Sequence, residues 1–157
     1  MQKITPCMWF ETQAEEAAEF YVSVFENSEI LHVSRYGEGG PMPAGTALAA
    51  DFVIDGVQMQ ALNGMQAVGF TEAISLSVST ETQEETDRLW DALTSDGGEE
   101  SMCGWLKDKY GVSWQIVPTV MHLLGDPDQE KAGRAMQAMM RMKKIIIADI
   151  QAAFDGA

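Results

Sequence analysis

Cysteine is scarce in this chain of 157 residues: Cys7 and Cys103 are the only two, too few for a disulfide framework and at a spacing that suits no metal motif. Histidine is as rare, with His32 and His122 alone. Positive charge is short as well. Ten Lys and Arg stand against 24 Asp and Glu, a formal net charge of −14. Without a basic footprint, neither nucleic acid nor an anionic membrane surface is an expected partner. No apolar run approaches the roughly 18 residues of a membrane span, and the N-terminus lacks the charged-then-apolar order of a secretory signal. These absences leave a reduced, cytoplasmic setting as the expectation. The length suits one globular domain, or two small fused modules sharing a core.

What the chain does have is internal duplication. Glu11-Thr12-Gln13-Ala14-Glu15-Glu16 is echoed by Glu81-Thr82-Gln83-Glu84-Glu85, and Asp55-Gly56-Val57-Gln58-Met59-Gln60-Ala61-Leu62 by Tyr110-Gly111-Val112-Ser113-Trp114-Gln115-Ile116-Val117. Two copies of one supersecondary unit must each bury an apolar face, and a cleft shared between copies is where function is expected.

Periodicity fills in the units. Residues 4–10 read as a strand. Thr12 with Glu15 reads as a capping box opening a helix whose apolar stripe is Ala14, Ala17, Ala18, Tyr21, Val24 and Phe25. A strand over 30–36 leads to a Gly/Pro loop over 37–45, and two strands then flank Asp55-Gly56, the strongest hairpin signal in the chain. The second copy repeats this order: a strand over 73–78, a capping box at Thr82 and Glu85, a helix striped by Thr86, Leu89, Trp90 and Leu93, then strands over 100–106 and 113–117. A third segment has no counterpart. Asp126-Pro127 is expected to cap a helix striped by Ala132, Ala135, Met136, Met139 and Met140. The isoleucines at 145–147 are expected to break it near Lys144, before a last short helix ending at Phe154.

Strand-helix-strand-strand-strand pairs of this kind resemble the vicinal-oxygen-chelate superfamily of glyoxalases and bleomycin- and fosfomycin-resistance proteins. Within it, Ile4-Thr5-Pro6-Cys7-Met8-Trp9-Phe10, Glu16-Ala17-Ala18-Glu19-Phe20-Tyr21 and Asp108-Lys109-Tyr110-Gly111-Val112-Ser113-Trp114-Gln115 resemble the PhnB-like branch, whose members carry the name 3-demethylubiquinone-9 3-methyltransferase domain. The resemblance covers residues 3 to about 120, and an added helical tail is common in that branch. It implies an α+β fold in which βαβββ modules at 1–66 and 67–120 form an eight-stranded cleft like that of glyoxalase and dihydroxybiphenyl dioxygenase. A helical extension follows at 121–157, within the same structural domain, and the protein is expected to be a homodimer.

Metal-using relatives line that cleft with a histidine from the first strand of each module and a glutamate from the last. The matching positions here are Pro6 or Cys7, Ala73, Gln60 and Gln115. Neutral amides are poor ligands for a divalent cation, so neither metal nor cofactor is expected. Gln60 and Gln115 are read either as orienting a polar small molecule or as satisfying each other across the module interface. The remaining cleft candidates are Cys7, Trp9, Trp114 and Arg35. Each has a plainer reading: Cys7 and Cys103 as buried small apolar residues, Trp9, Trp105 and Trp114 as core, and Arg35 with Tyr36 as a solvated strand end rather than an anion site. Gly37-Glu38-Gly39-Gly40 opens a loop rather than a helix, which does not fit a nucleotide-binding turn. Arg134, Arg141, Lys143 and Lys144 cluster in an otherwise acidic chain, so the tail is expected to pack on an acidic surface, such as a partner subunit. The function expected is metal-independent binding of a small molecule. The alternative is an enzyme, either a metal-dependent lyase or dioxygenase or the methyltransferase of the family's name.

Overall fold

The computed structural model describes residues 2–157. The chain divides into two compact units, Met1–Gly69 and Phe70–Ala157. In the first unit, β1 (Cys7–Phe10) precedes α1 (Ala14–Val24), followed by β2 (Glu29–Arg35), β3 (Ala47–Ile54) and β4 (Val57–Asn63). These four strands form one sheet in the order β1-β4-β3-β2, with β1 parallel to β4 and the other pairs antiparallel. Asp55 and Gly56 both take positive φ, 44° and 76°, the geometry a two-residue hairpin between twisted strands requires. Small side chains let α1 approach the sheet closely: Ala14, Ala17 and Ala18 are fully buried, with Tyr21, Phe52 and Met59 filling the space between the layers. The first strand is shorter than periodicity predicts. Ile4 is exposed, and Pro6 contributes only its carbonyl, which accepts from the Gln60 N–H at 2.9 Å.

The first capping box does not form. Glu15 is drawn away by Arg35, whose Nη1 donates to its carboxylate at 3.0 Å, and Thr12 lies outside the helix. The free N–H of Ala14 is met instead by Oδ1 of Asn63 at 2.8 Å, while Asn63 Nδ2 donates to the Ala47 carbonyl at 3.1 Å. A buried side chain at the end of β4 therefore caps a helix 49 residues earlier. Asn63→Ala leaves a buried N–H and a buried carbonyl unpaired, and is expected to lower stability by about 2–3 kcal/mol in urea denaturation. A loss under about 0.5 kcal/mol would mean that the cap contributes little.

The second unit repeats the order with β5 (Leu76–Thr80), α2 (Gln83–Thr94), β6 (Glu99–Glu100), β7 (Trp105–Lys107) and β8 (Ser113–Pro118), in sheet order β5-β8-β7-β6. The fold is thus α+β, two four-stranded sheets each with its own helix. Here the capping box holds: Thr82 Oγ1 accepts from Glu85 N at 3.1 Å, and Glu85 reaches back to the N–H of Glu81 at 2.9 Å. Thr86, Leu89, Trp90 and Leu93 are all buried, as their spacing predicts. Two expected strands differ. The strand expected over 73–78 begins only at Leu76, and the one over 100–106 is broken by a turn in which Cys103 and Gly104 take φ of 59° and 82°.

The tail belongs to this second unit. A 3₁₀ turn over Thr119–Gly125 leads to α3 (Gln129–Met139) and α4 (Ile147–Asp155), separated by the break expected before the isoleucines. Asp128, not Asp126, caps α3: its Oδ1 accepts from Lys131 N at 3.2 Å, whereas Asp126 turns the chain by accepting from Asp128 N. Pro127 consequently lies before the helix. Ala132 and Ala135 are buried but Met136 and Met140 are exposed, because α4 and the preceding turn cover only part of the expected stripe. The acidic surface met by the tail's basic residues is the unit's own. Lys144 pairs with Asp87 at 2.9 Å and Lys143 with Glu100 at 3.6 Å, while Arg134 donates to the carbonyls of Ala153 and Phe154. Among the described residues, no helix is long and apolar enough to cross a membrane.

Candidate functional site

Strand alternation sorts each sheet into a helix face and an open face. In the first unit Met8, Phe10, Phe52, Met59 and Ala61 are buried on the helix face. The register then aligns one row across all four strands: Cys7 on β1 opposite Gln60 on β4, Gln60 opposite Asp51 on β3, and Asp51 opposite His32 on β2. Gln60 Nε2 donates to Asp51 Oδ1 at 2.8 Å, which fixes the orientation of the amide. His32 follows an irregularity between Ile30 and His32, where an extra residue shifts the pairing with β3.

Cys7, read from sequence as a buried apolar residue, is exposed; partial desolvation and then the negative charge of Asp51 push its thiol above the ordinary pKa. A protonated thiol is a weak hydrogen-bond donor rather than a nucleophile. The row therefore offers a donor, an amide and a carboxylate side by side, with an imidazole at its end, and suits recognition of a polar group better than covalent chemistry. Asp51 and His32 were not among the residues expected from sequence. The signal for Asp51 was present: a two-residue turn pairs positions equidistant from it, so Gln60, four beyond Gly56, must face Asp51, four before Asp55.

Trp9 follows Cys7 on the same face of β1, about 39% exposed. It is pinned rather than free: the ring lies against Gly64, where a Cβ would overlap it, and its Nε1 donates to the Gln66 carbonyl at 2.8 Å. Arg35, considered for an anion site, is committed to Glu15 and to the Gly45 carbonyl, 3.2 Å from Nη1. The hydrogen-bonded Glu15 carboxylate raises its pKa further.

In the second unit Gln115 occupies the place of Gln60, paired in register with Ser77 on β5 and Trp105 on β7. Its Nε2 donates to Ser75 Oγ at 2.9 Å. Each amide thus finds its hydrogen-bond acceptor beside its own sheet, Gln60 in Asp51 and Gln115 in Ser75. Trp114 turns the other way. It is 1% exposed on the helix face, with Nε1 donating to Asp108 Oδ2 at 2.9 Å, which makes it a core residue and removes it from any ligand surface on the open side.

These residues do not fit a divalent cation. One candidate donor is a protonated thiol and two are amides already hydrogen-bonded. Among the described residues, no three His, Cys, Asp or Glu side chains converge so as to hold an ion.

Comparison with known proteins adds to this geometry. The model of a family described as 3-demethylubiquinone-9 3-methyltransferase matches residues 2–117. A Bacillus cereus protein described as a putative 3-demethylubiquinone-9 3-methyltransferase, PhnB protein, is 42% identical, with a TM-score of 0.69 over 75% of this chain and 100% of that one. A Pseudomonas aeruginosa protein is 22% identical, with a TM-score of 0.61 over 75% and 98%. The fosfomycin resistance protein FosX of Listeria monocytogenes, described in complex with Mn(II) and sulfate, is 12% identical, with a TM-score of 0.52 over 75% and 91%. No curated protein matches the chain.

Proposed function

Since this chain belongs to the 3-demethylubiquinone-9 3-methyltransferase (PhnB-like) family of the vicinal-oxygen-chelate fold, we propose that it is a small-molecule-binding protein that works without a metal. The observation that carries this reading is the hydrogen bond of 2.8 Å from Gln60 to Asp51, with the Cys7 thiol in the neighbouring register position. Gln60 Oε1 and the second oxygen of Asp51 accept hydrogen bonds from a ligand, and Cys7 donates one, so the complementary molecule carries adjacent donors beside an acceptor. Gln115 with Ser75 offers a similar amide in the second unit. The related fold of FosX is described with Mn(II); the donor set here favours direct hydrogen bonding instead. The free thiols of Cys7 and Cys103 suit a reducing cytoplasm, and the exposed Met136 and Met140 supply apolar surface for a homodimer contact.

Thermal-shift screening of polar metabolite-sized compounds, followed by calorimetry, tests this. Gln60→Ala is expected to keep the melting temperature within a few degrees of the parent chain and weaken a hit by about fivefold to tenfold, the loss of one hydrogen bond. Unchanged affinity would move the site elsewhere. Elemental analysis after dialysis is the second arm, and stoichiometric Zn, Mn, Fe or Ni would overturn metal independence.

A further inference from the structure

A cavity of about 500 Å³ lies within the second unit, lined by Trp105, the register partner of Gln115, but not by Gln115 itself. Its floor follows from strand register. Trp105 and Lys107 share one face of β7, and Lys107 pairs with Ser113 of β8, so indole, ammonium and hydroxyl line the same space. Ser113 is 1% exposed, and its Oγ has no hydrogen-bond partner among the described residues. A buried hydroxyl without a partner is unfavourable, and a molecule seated in the cavity would supply one. Met102 adds a flexible apolar wall.

The charge of the lining sets the ligand's sign. Three carboxylates, Glu72, Glu99 and Glu100, line the cavity against one ammonium. Lys107 is bound to Glu72 at 2.6 Å, and Glu100 is met by Lys143 at 3.6 Å and by the Trp90 N–H at 2.8 Å. Glu99 lies opposite Lys107 in register and feels its charge, but Lys107 is hydrogen-bonded to Glu72, and among the described residues Glu99 has no ion pair within 4.0 Å. An anion entering here meets net negative potential, whereas a cation meets a carboxylate next to an indole face.

We propose that this cavity binds an organic cation, its ammonium group toward Glu99, its apolar body against Trp105 and Met102, and a hydroxyl hydrogen-bonded to Ser113 Oγ. The volume suits a ligand of drug size or smaller.

Three probes test this on the full-length chain: benzyltrimethylammonium, benzyldimethyl(2-hydroxyethyl)ammonium and benzoate. Both cations are expected to bind saturably in calorimetry and to shift the Trp105 indole N–H resonance, assigned by its loss in Trp105→Phe, whereas benzoate does neither. The hydroxyl is expected to tighten binding about fivefold in the parent chain and not at all in Ser113→Ala. Glu99→Gln is expected to weaken both cations roughly fivefold, an effect that shrinks in high salt. Equal binding of benzoate, a hydroxyl gain that survives in Ser113→Ala, or the absence of saturable binding by either cation would overturn the proposal. Ser113→Ala removes only an unpartnered hydroxyl and Glu99 sits on an exposed edge strand, so both variants should fold; a thermal melt checks this. Failure here leaves the Gln60 reading standing, because every variant lies in the second unit and Gln60 and Asp51 lie in the first.

Discussion

Asparagine in place of Asp108 is expected to destabilise the protein by about 3 kcal/mol, read as a lower urea midpoint at unchanged slope. Asp108 is 2% exposed, and its carboxylate is fully engaged. Oδ1 accepts from the backbone N–H of Tyr110 at 2.9 Å and of Val112 at 3.1 Å, and Oδ2 accepts from Trp114 Nε1 at 2.9 Å. Every one of those partners is a donor. An amide placed there must aim its own NH₂ either at the indole N–H or at the two backbone N–H groups, so a hydrogen bond is replaced by a donor facing a donor in a dry site. Trp114→Phe removes one of those donors and also leaves a cavity where a fully buried indole stood, so its cost is expected to be comparable, about 3 kcal/mol. Should Asp108→Asn lose under 1 kcal/mol, the carboxylate is not the staple the geometry indicates. The Asp-Lys-Tyr-Gly-Val-Ser-Trp stretch, the most specific part of the family resemblance, is on this account a device for holding a turn and a strand together. Gly111 takes φ of 86° at its centre, as such a turn requires.

Ending the chain at Met140 is expected to have a larger effect, the loss of the native second unit. The missing segment contributes Ile145 and Ile150, both almost wholly buried, worth about 1.5–3 kcal/mol each. It also supplies the carbonyls of Met142 and Lys143, which accept from Cys103 N at 2.8 Å and Gly104 N at 2.7 Å. Gln83 of α2 is gripped at both ends by the same segment, donating to the Ile145 carbonyl at 3.1 Å and accepting from Ile147 N at 2.8 Å. Two orphaned backbone N–H groups at about 1–3 kcal/mol each bring the sum to the size of an ordinary domain's whole stability. In a ¹H–¹⁵N spectrum the truncated chain should lose the dispersed resonances of residues 70–140. A cooperative melt close to that of the full chain would refute this. The family model ends at residue 117, yet the tail beyond it completes the turn between β6 and β7.

Much of this was legible in the sequence, for reasons that are local. Asp55-Gly56 announces its hairpin because few residues tolerate two successive positive φ angles, and the α2 stripe announces itself by spacing. The second capping box could be read because all its atoms lie within five residues. The first, spelled with nearly the same letters, could not. Its outcome was decided by Arg35 and Asn63, 20 and 49 residues from their partners. The same distance effect governs the site. Gln60 was marked by its place after Gly56, whereas His32 enters the row only through an irregular pairing that no periodicity reveals. Trp114 stands in the sequence both as a cleft candidate and as core, because sequence shows an aromatic on a strand without showing which way it faces; the core reading holds. Asp108 two residues before Tyr110, with Trp114 beyond, was the pattern that would have turned it inward.

The cap that Asn63 provides also bears on how the chain comes off the ribosome. Helix α1 leaves the ribosome before the group that ties down its first turn, which arrives 49 residues later. An 11-residue helix is marginal alone in water, so α1 has to wait, with its alanine face unprotected, until the hairpin around residue 55 has closed. Helix α2 carries its own N-cap but waits longer for its remaining ties, since Gln83 is held by Ile145 and Ile147, 62 and 64 residues further on. Each duplicated half is therefore completed by residues made long after its helix.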